Sequence, residues 1–216
     1  MRERYFEGAR AIAPIGIAAF VFGISFGVLA RTAGMGWPAP IVMSATTFAG
    51  SAQFAVASLL RDGGAAAAAI TAAVMLNARY VPIGISVASR FEGPVRRRLL
   101  QAQLIVDESW AVALKRRAGF DLRVLLGAGA LLYLAWNSGT VVGVVLGNAI
   151  GDANRLGLDA AFPALFLALL VPQLTGRLQL TAALLGAGIA LVLIPFTPAG
   201  VPIVAGAAAC LVGLRR

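Results

Sequence analysis

Long uncharged stretches dominate the chain, and polar residues mark their ends. Ala11 to Ala30 is twenty residues without a charge. Thr32 to Leu60 has none either, but Trp37-Pro38-Ala39-Pro40 divides it into a loop and a helix. Gly63 to Ala78 is uncharged, Arg79 interrupts, and Tyr80 to Ser89 continues. Leu99 to Leu114 is apolar apart from Asp107-Glu108 and a few polar residues. Val124 to Gly151 and Ala160 to Gly176 carry no charge. Leu178 to Leu214 is uncharged, and Pro195, Pro198 and Pro202 must divide it. A membrane-spanning helix needs roughly 20 apolar residues. The pattern predicts an all-α polytopic membrane protein of about seven hydrophobic helices. The basic start, Arg2 and Arg4, invites comparison with a secretory leader. The apolar run that follows is longer than a leader's, so cleavage is not expected.

Composition narrows the classes. Hydrophobic residues make up 60% of the 216 positions and charged residues 12%, against about 25% charged in soluble domains. A soluble fold of this size still shows about 30% of its unfolded surface to water, so so many apolar side chains could not be buried. There is no histidine and one cysteine, Cys210. That removes Cys- and His-based metal sites and the histidine-dependent catalytic triads. Cys210, in a run of alanines, reads as a small buried hydrophobe. No cofactor and no enzyme activity are expected.

The formal charge is +9. The basic residues gather at the ends of apolar runs, as the positive-inside preference requires, so nucleic-acid binding is not expected. Arg2, Arg4 and Arg10 form one cluster, Arg90 and Arg96 to Arg98 a second, Lys115-Arg116-Arg117 with Arg123 a third, and Arg215-Arg216 a fourth. The simplest assignment puts all four, and the N-terminus, in the cytoplasm. Residues 1–10 and 90–98 are then separated by an even number of crossings, yet three apolar elements lie between them. One must be re-entrant, or half-elements must form a hairpin. The same parity holds for residues 99–114. Irregular backbone at membrane depth survives only inside protein or along a cavity, so an internal polar pathway is expected. The competing reading leaves one basic loop outside.

A candidate internal repeat follows. Phe22-Gly23-Ile24-Ser25-Phe26-Gly27 opens one block and Ser138-Gly139-Thr140-Val141-Val142-Gly143 another. Each precedes a loop, an apolar element and a Pro-interrupted element. This suggests repeats 11–98 and 124–214 joined by 99–123 within one transporter domain. Glycines four apart also serve plain helix packing.

Four patches could carry chemistry. In Phe48-Ala49-Gly50-Ser51-Ala52-Gln53-Phe54, Gly50 permits an unwound backbone, and Ser51 and Gln53 offer hydrogen bonds beside it. An unwound turn exposes N–H groups that favour a carboxylate. A continuous helix with Ser and Gln bonded to its neighbours is the plainer reading. In Leu76-Asn77-Ala78-Arg79-Tyr80-Val81-Pro82, Pro82 breaks the helix near Arg79. An intramembrane arginine marks a functional site by default. Its partner is a substrate carboxylate or Asp107/Glu108, unless it snorkels to the interface. Asp107 and Glu108 could meet a substrate ammonium or carry a proton. They point about 100° apart on a helix, so one could line a cavity while the other pairs with an arginine; both could also be wet on an interfacial helix. Trp136-Asn137-Ser138-Gly139-Thr140 places Asn137 and Thr140 deep in a charge-free span, where packing is the competing role.

These patches, in this order, resemble the AzlC-type branched-chain amino acid permease family. The likeness covers about Arg10 to Pro172. It is carried by Gly16, Phe26-Gly27, Phe48 to Phe54, Leu76 to Arg79, Asp107-Glu108, Trp136 with Thr140 and Gly143, Gly157-Leu158-Asp159 and Pro163-Ala164-Leu165-Phe166. Tyr80 stands where the family often has histidine. The resemblance implies an exporter of Leu, Ile and Val in the bacterial inner membrane, with a small AzlD-type membrane subunit as partner. The expected mechanism is secondary transport, coupled to protons. Gly50-Ser51 and Arg79 would hold the carboxylate, Asp107 or Glu108 the ammonium, and Phe26 and Phe54 the apolar side chain. A passive channel for small solutes is the alternative.

Overall fold

Two long helices form the spine. α1 runs Arg2–Thr32 and α8 Leu122–Leu146. Between them lie α2 (Pro38–Thr47), α3 (Gly50–Arg61), α4 (Ala66–Asn77), α5 (Tyr80–Ala88), α6 (Val95–Ala102) and α7 (Asp107–Leu114). α9 (Arg177–Leu193) and α10 (Val201–Ala207) follow. The computed structural model describes residues 2–114, 120–147, 167, 170, 171, 174–197, 201–209 and 211. All regular structure among them is helical. Lys115-Arg116-Arg117, the loop 152–159, Pro163 to Phe166, Pro172, Pro198, Cys210 and Arg215-Arg216 lie outside the described residues.

α1 and α8 touch backbone to backbone. A Cβ built on Gly8 would fall 2.1 Å from the Val124 carbonyl oxygen, one on Gly139 2.2 Å from that of Phe20, and one on Gly143 2.1 Å from that of Ile24. Small residues let membrane helices approach this closely. The pairing also fixes direction. Residue 8 meets 124, 20 meets 139 and 24 meets 143, so the two helices run parallel. Their N-termini share one end of the bundle. Arg4 reaches Asp121 there at 3.5 Å. Asp121 caps α8 by accepting from the Arg123 and Val124 N–H groups. Arg90, Arg97 and Arg123 line one cavity with Tyr5 at this end. Three of the four basic clusters are thus represented at one end; the fourth, at the C-terminus, lies outside the described residues.

The parity expectation now has a geometric counterpart. α2 has 10 residues and α3 has 12, or about 15 and 18 Å at 1.5 Å per residue, half of a ~30 Å hydrocarbon core. α2 descends along α8. Ser44 meets Thr140, and Phe48 meets the Tyr133 ring. α3 then climbs back, with Gly50 against Trp136 and Phe54 against Phe26. α4 and α5 return toward the basic end with a 43° bend between them. From that end α6 and the segment after it rise to mid-depth, where Gln103 donates to the carbonyls of Ala45 and Thr46. α7 descends again, and the Asp121 N–H bonds Ala113. Two half-length hairpins, entering from opposite ends, meet at their tips. Only α1 and α8 are singly long and apolar enough to cross a membrane, with bent α4–α5 as a third, among the described residues.

Candidate functional site

The two breaks differ in cause. Between α2 and α3 the left-handed residue is Phe48, at φ 43° and ψ 51°, and not the glycine. The expectation of an unwound backbone centred on Gly50 is corrected accordingly. Phe48 is buried and edge-on to Tyr133 at 5.0 Å, and that packing holds its unfavourable backbone. Gly50 already belongs to α3. Its need is room, because a Cβ there would sit 2.9 Å from the end of the Trp136 indole. Between α4 and α5, Pro82 has no N–H for the Ala78 carbonyl. The Val81 N–H takes that carbonyl instead, at 3.1 Å, and the turn tightens.

The bend delivers Arg79 to the hairpin tips. Its guanidinium lies 3.1 Å from an Asp107 carboxylate oxygen, donates to Ser51 Oγ at 3.0 Å and sits 5.2 Å from the centre of the Tyr80 ring. Asp107 and Glu108 open α7, where the helix dipole favours negative charge. They diverge as residues 100° apart on a helix should. Asp107 pairs with Arg79, while Glu108 faces a cavity of about 460 Å³. Gly50, Ser51, Arg79, Tyr80 and Glu108 make its polar part. Ile15, Ala18, Ala19 and Phe22 of α1, with Phe48, Val106, Leu132 and Trp136, make its apolar part. α3 begins at this cavity without a side-chain cap. One Arg79 nitrogen, Nε, is buried without a hydrogen-bond partner among the described residues.

The structure divides the ten residues picked from sequence. Gly50, Ser51, Arg79, Glu108 and Trp136 line the cavity, and Asp107 stands behind Arg79. Gln53 and Thr140 are fully buried and face a polar knot instead. Asn137 bonds the Tyr133 carbonyl of its own helix at 2.8 Å. Asn77, near the bend, has a buried amide oxygen without a partner among the described residues. Phe26 and Phe54 do not line the cavity. They are 0% and 2% exposed and pack with Trp136 as an aromatic cluster, so the apolar wall is Phe22 and Phe48.

Sequence reasoning missed Ser44, the centre of the knot. Its hydroxyl accepts from Gln53 Nε2 at 2.8 Å and Trp136 Nε1 at 3.2 Å, leaving its own proton for Thr140 Oγ1 at 2.9 Å. Thr140 in turn donates to the Trp136 carbonyl. Gln53 Oε1 accepts the Ala49 N–H, one of the groups freed at the break. It also missed Gln103, the tie between the hairpin tips.

A family description, AzlC protein, matches residues 14–150. The chain belongs to the AzlC family. It is similar to the branched-chain amino acid transport protein AzlC of Bacillus subtilis, with 30% identity over 176 residues, 80% of this chain and 69% of that one. An uncharacterized membrane protein of Archaeoglobus fulgidus is 34% identical over 180 residues, 82% of this chain and 79% of that one. The inner membrane protein YgaZ of Escherichia coli is 27% identical over 204 residues, 88% and 83% of the two chains. No solved structure matches. The AzlC match covers α1 from Pro14 onward, all of α8, both hairpins and the cavity.

Proposed function

We propose that this chain is a secondary transporter that exports branched-chain or other hydrophobic amino acids across the bacterial inner membrane. One observation carries the reading: a mid-depth cavity with a cation and a carboxylate at one side and an apolar wall opposite. That arrangement suits a zwitterion with a hydrophobic tail. The substrate carboxylate would lie at the uncapped start of α3 and Arg79, its ammonium at Glu108, and its side chain against Phe22, Phe48 and Trp136. The B. subtilis relative's name supports the substrate class. Glu108 would carry the coupling proton. A small AzlD-type membrane subunit would complete the transporter. The basic end would be cytoplasmic. Seven hydrophobic units, with repeats 11–98 and 124–214, complete the proposed architecture. The parallel run of α1 and α8, which carry the two opening blocks, supports repeats of the same direction.

The test is efflux of radiolabelled valine from loaded cells, with and without the partner subunit. Expected is efflux that saturates, collapses on addition of a protonophore and is lost in Arg79→Ala. Unchanged efflux in Arg79→Ala overturns the site assignment. Flux that rises linearly with concentration and ignores the protonophore favours a passive channel.

A further inference from the structure

The basic end of the bundle holds a second arrangement, away from the mid-depth cavity. A polar cavity of about 420 Å³ is lined by Arg90, Arg97 and Arg123 with Tyr5 and Gln101. Its two carboxylates are Glu92 and Asp121. Asp121 is already engaged by Arg4 and by the N–H groups of Arg123 and Val124. Three arginines therefore line the cavity with two carboxylates, one of which is shared with Arg4 from outside it. None of Arg90, Arg97 and Arg123 has an ion pair among the described residues. Gly93, at φ 99°, keeps its α-carbon bare where the Arg97 stem crosses it, and a Cβ there would meet Arg97 Cδ at 3.0 Å. The turn thus leads Arg97 across Gly93.

An apolar groove of about 570 Å³ continues from that cavity between α1, α6 and α8. Tyr5, Arg97, Gln101 and Leu126 line both. Beyond them the groove presents Phe6, Leu100 and Leu134, all strongly exposed. Gln101 Oε1, at the junction, is buried and has no hydrogen-bond partner among the described residues. A positive cavity, a buried acceptor and an apolar groove thus follow one another along the surface of the bundle.

We infer that this is a site for an anionic phospholipid, with its phosphate among Arg90, Arg97 and Arg123 and one acyl chain in the groove. Basic pockets between membrane helices at the positive side recognise such headgroups. Phosphatidylglycerol, whose phosphate leaves the lipid with a net negative charge, is the natural probe. The charge decides against a zwitterionic lipid, and the groove against a free anion.

Native mass spectrometry of the purified chain tests this, by titration with phosphatidylglycerol and with phosphatidylcholine of the same acyl chains. Phosphatidylglycerol should bind at least about fivefold more tightly, as one uncompensated arginine contact supplies. Arg97→Gln with Arg123→Gln should weaken it by about 25-fold, or about fivefold per arginine, while melting temperature confirms the fold. Ala130→Trp, which fills the groove, should weaken both lipids. Equal binding of the two lipids overturns the inference, and so does a double variant that binds as the parent does. Displacement by millimolar inorganic phosphate would make it a free-anion site. A photo-crosslinker at position 130 should yield a lipid adduct in cells. A discrete protein adduct would assign the groove to a partner chain and also overturn the inference.

Discussion

Ser44→Ala removes three buried contacts at once and leaves no charge behind. Ser44, Gln53 and Thr140 are each 0% exposed and Trp136 only 7%, so water cannot replace what is lost. In soluble proteins a stranded buried group costs roughly 1–3 kcal/mol. Between membrane helices the average is lower, about 0.6 kcal/mol per hydrogen bond, because the unfolded reference finds partners too. Three contacts then come to about 2 kcal/mol. Unfolding of the purified protein in mixed micelles measures the loss. Ser44→Ala combined with Trp136→Phe should show a coupling of about 0.6 kcal/mol, the share of the indole bond. Trp136 also forms the cavity wall, so KM for valine efflux should rise. A variant within about 0.3 kcal/mol of the parent, well below one average bond, would refute the reasoning. It would mean that ring packing on Phe26 and Phe54 alone holds the indole.

Two further expectations use glycines. Gly143→Ala would drive a methyl to 2.1 Å from the Ile24 carbonyl oxygen, so melting should show a loss at the upper end of overpacking costs, about 3 kcal/mol; Gly84→Ala, with nothing within 4 Å, is the neutral control. Gly50→Ala presses on the Trp136 ring at the cavity, so leucine efflux should fall more than alanine efflux, and an equal loss for both would count against the cavity as the side-chain pocket.

Charge and apolar run length made much of the architecture readable. Arginines alone imply an even number of crossings between residues 10 and 90 if every basic cluster lies on one side, and opposed half-hairpins are compatible with that reading. Asp107 and Glu108 were separable because adjacent helical residues diverge by a known angle. What could not be read were contacts between distant segments. Ser44 has no unusual neighbour in sequence, and its partners lie 9, 92 and 96 positions away. Phe48 was hidden for the opposite reason. A glycine two residues later looked like the natural place for a left-handed turn, and only packing against Tyr133 shifts the turn to a phenylalanine. Phe26 and Phe54 were misassigned because sequence shows that a ring is apolar, not whether its neighbours leave space beside it.

The seam between α1 and α8 bears on how the chain is made. About 90 residues separate Thr32 from Leu122. At about 5–20 residues per second, the ribosome delivers α8 roughly 5–20 s after α1. α1 can wait in lipid, because a helix satisfies its own backbone, and Ser25 bonds the Val21 carbonyl within the same helix. Its glycine face meets only lipid until α8 emerges. The hairpins are made in that interval, before the surface they lean on exists. Closure of the seam therefore waits for α8, and the mid-depth cavity, walled by Leu132 and Trp136 of that helix, comes into being with it.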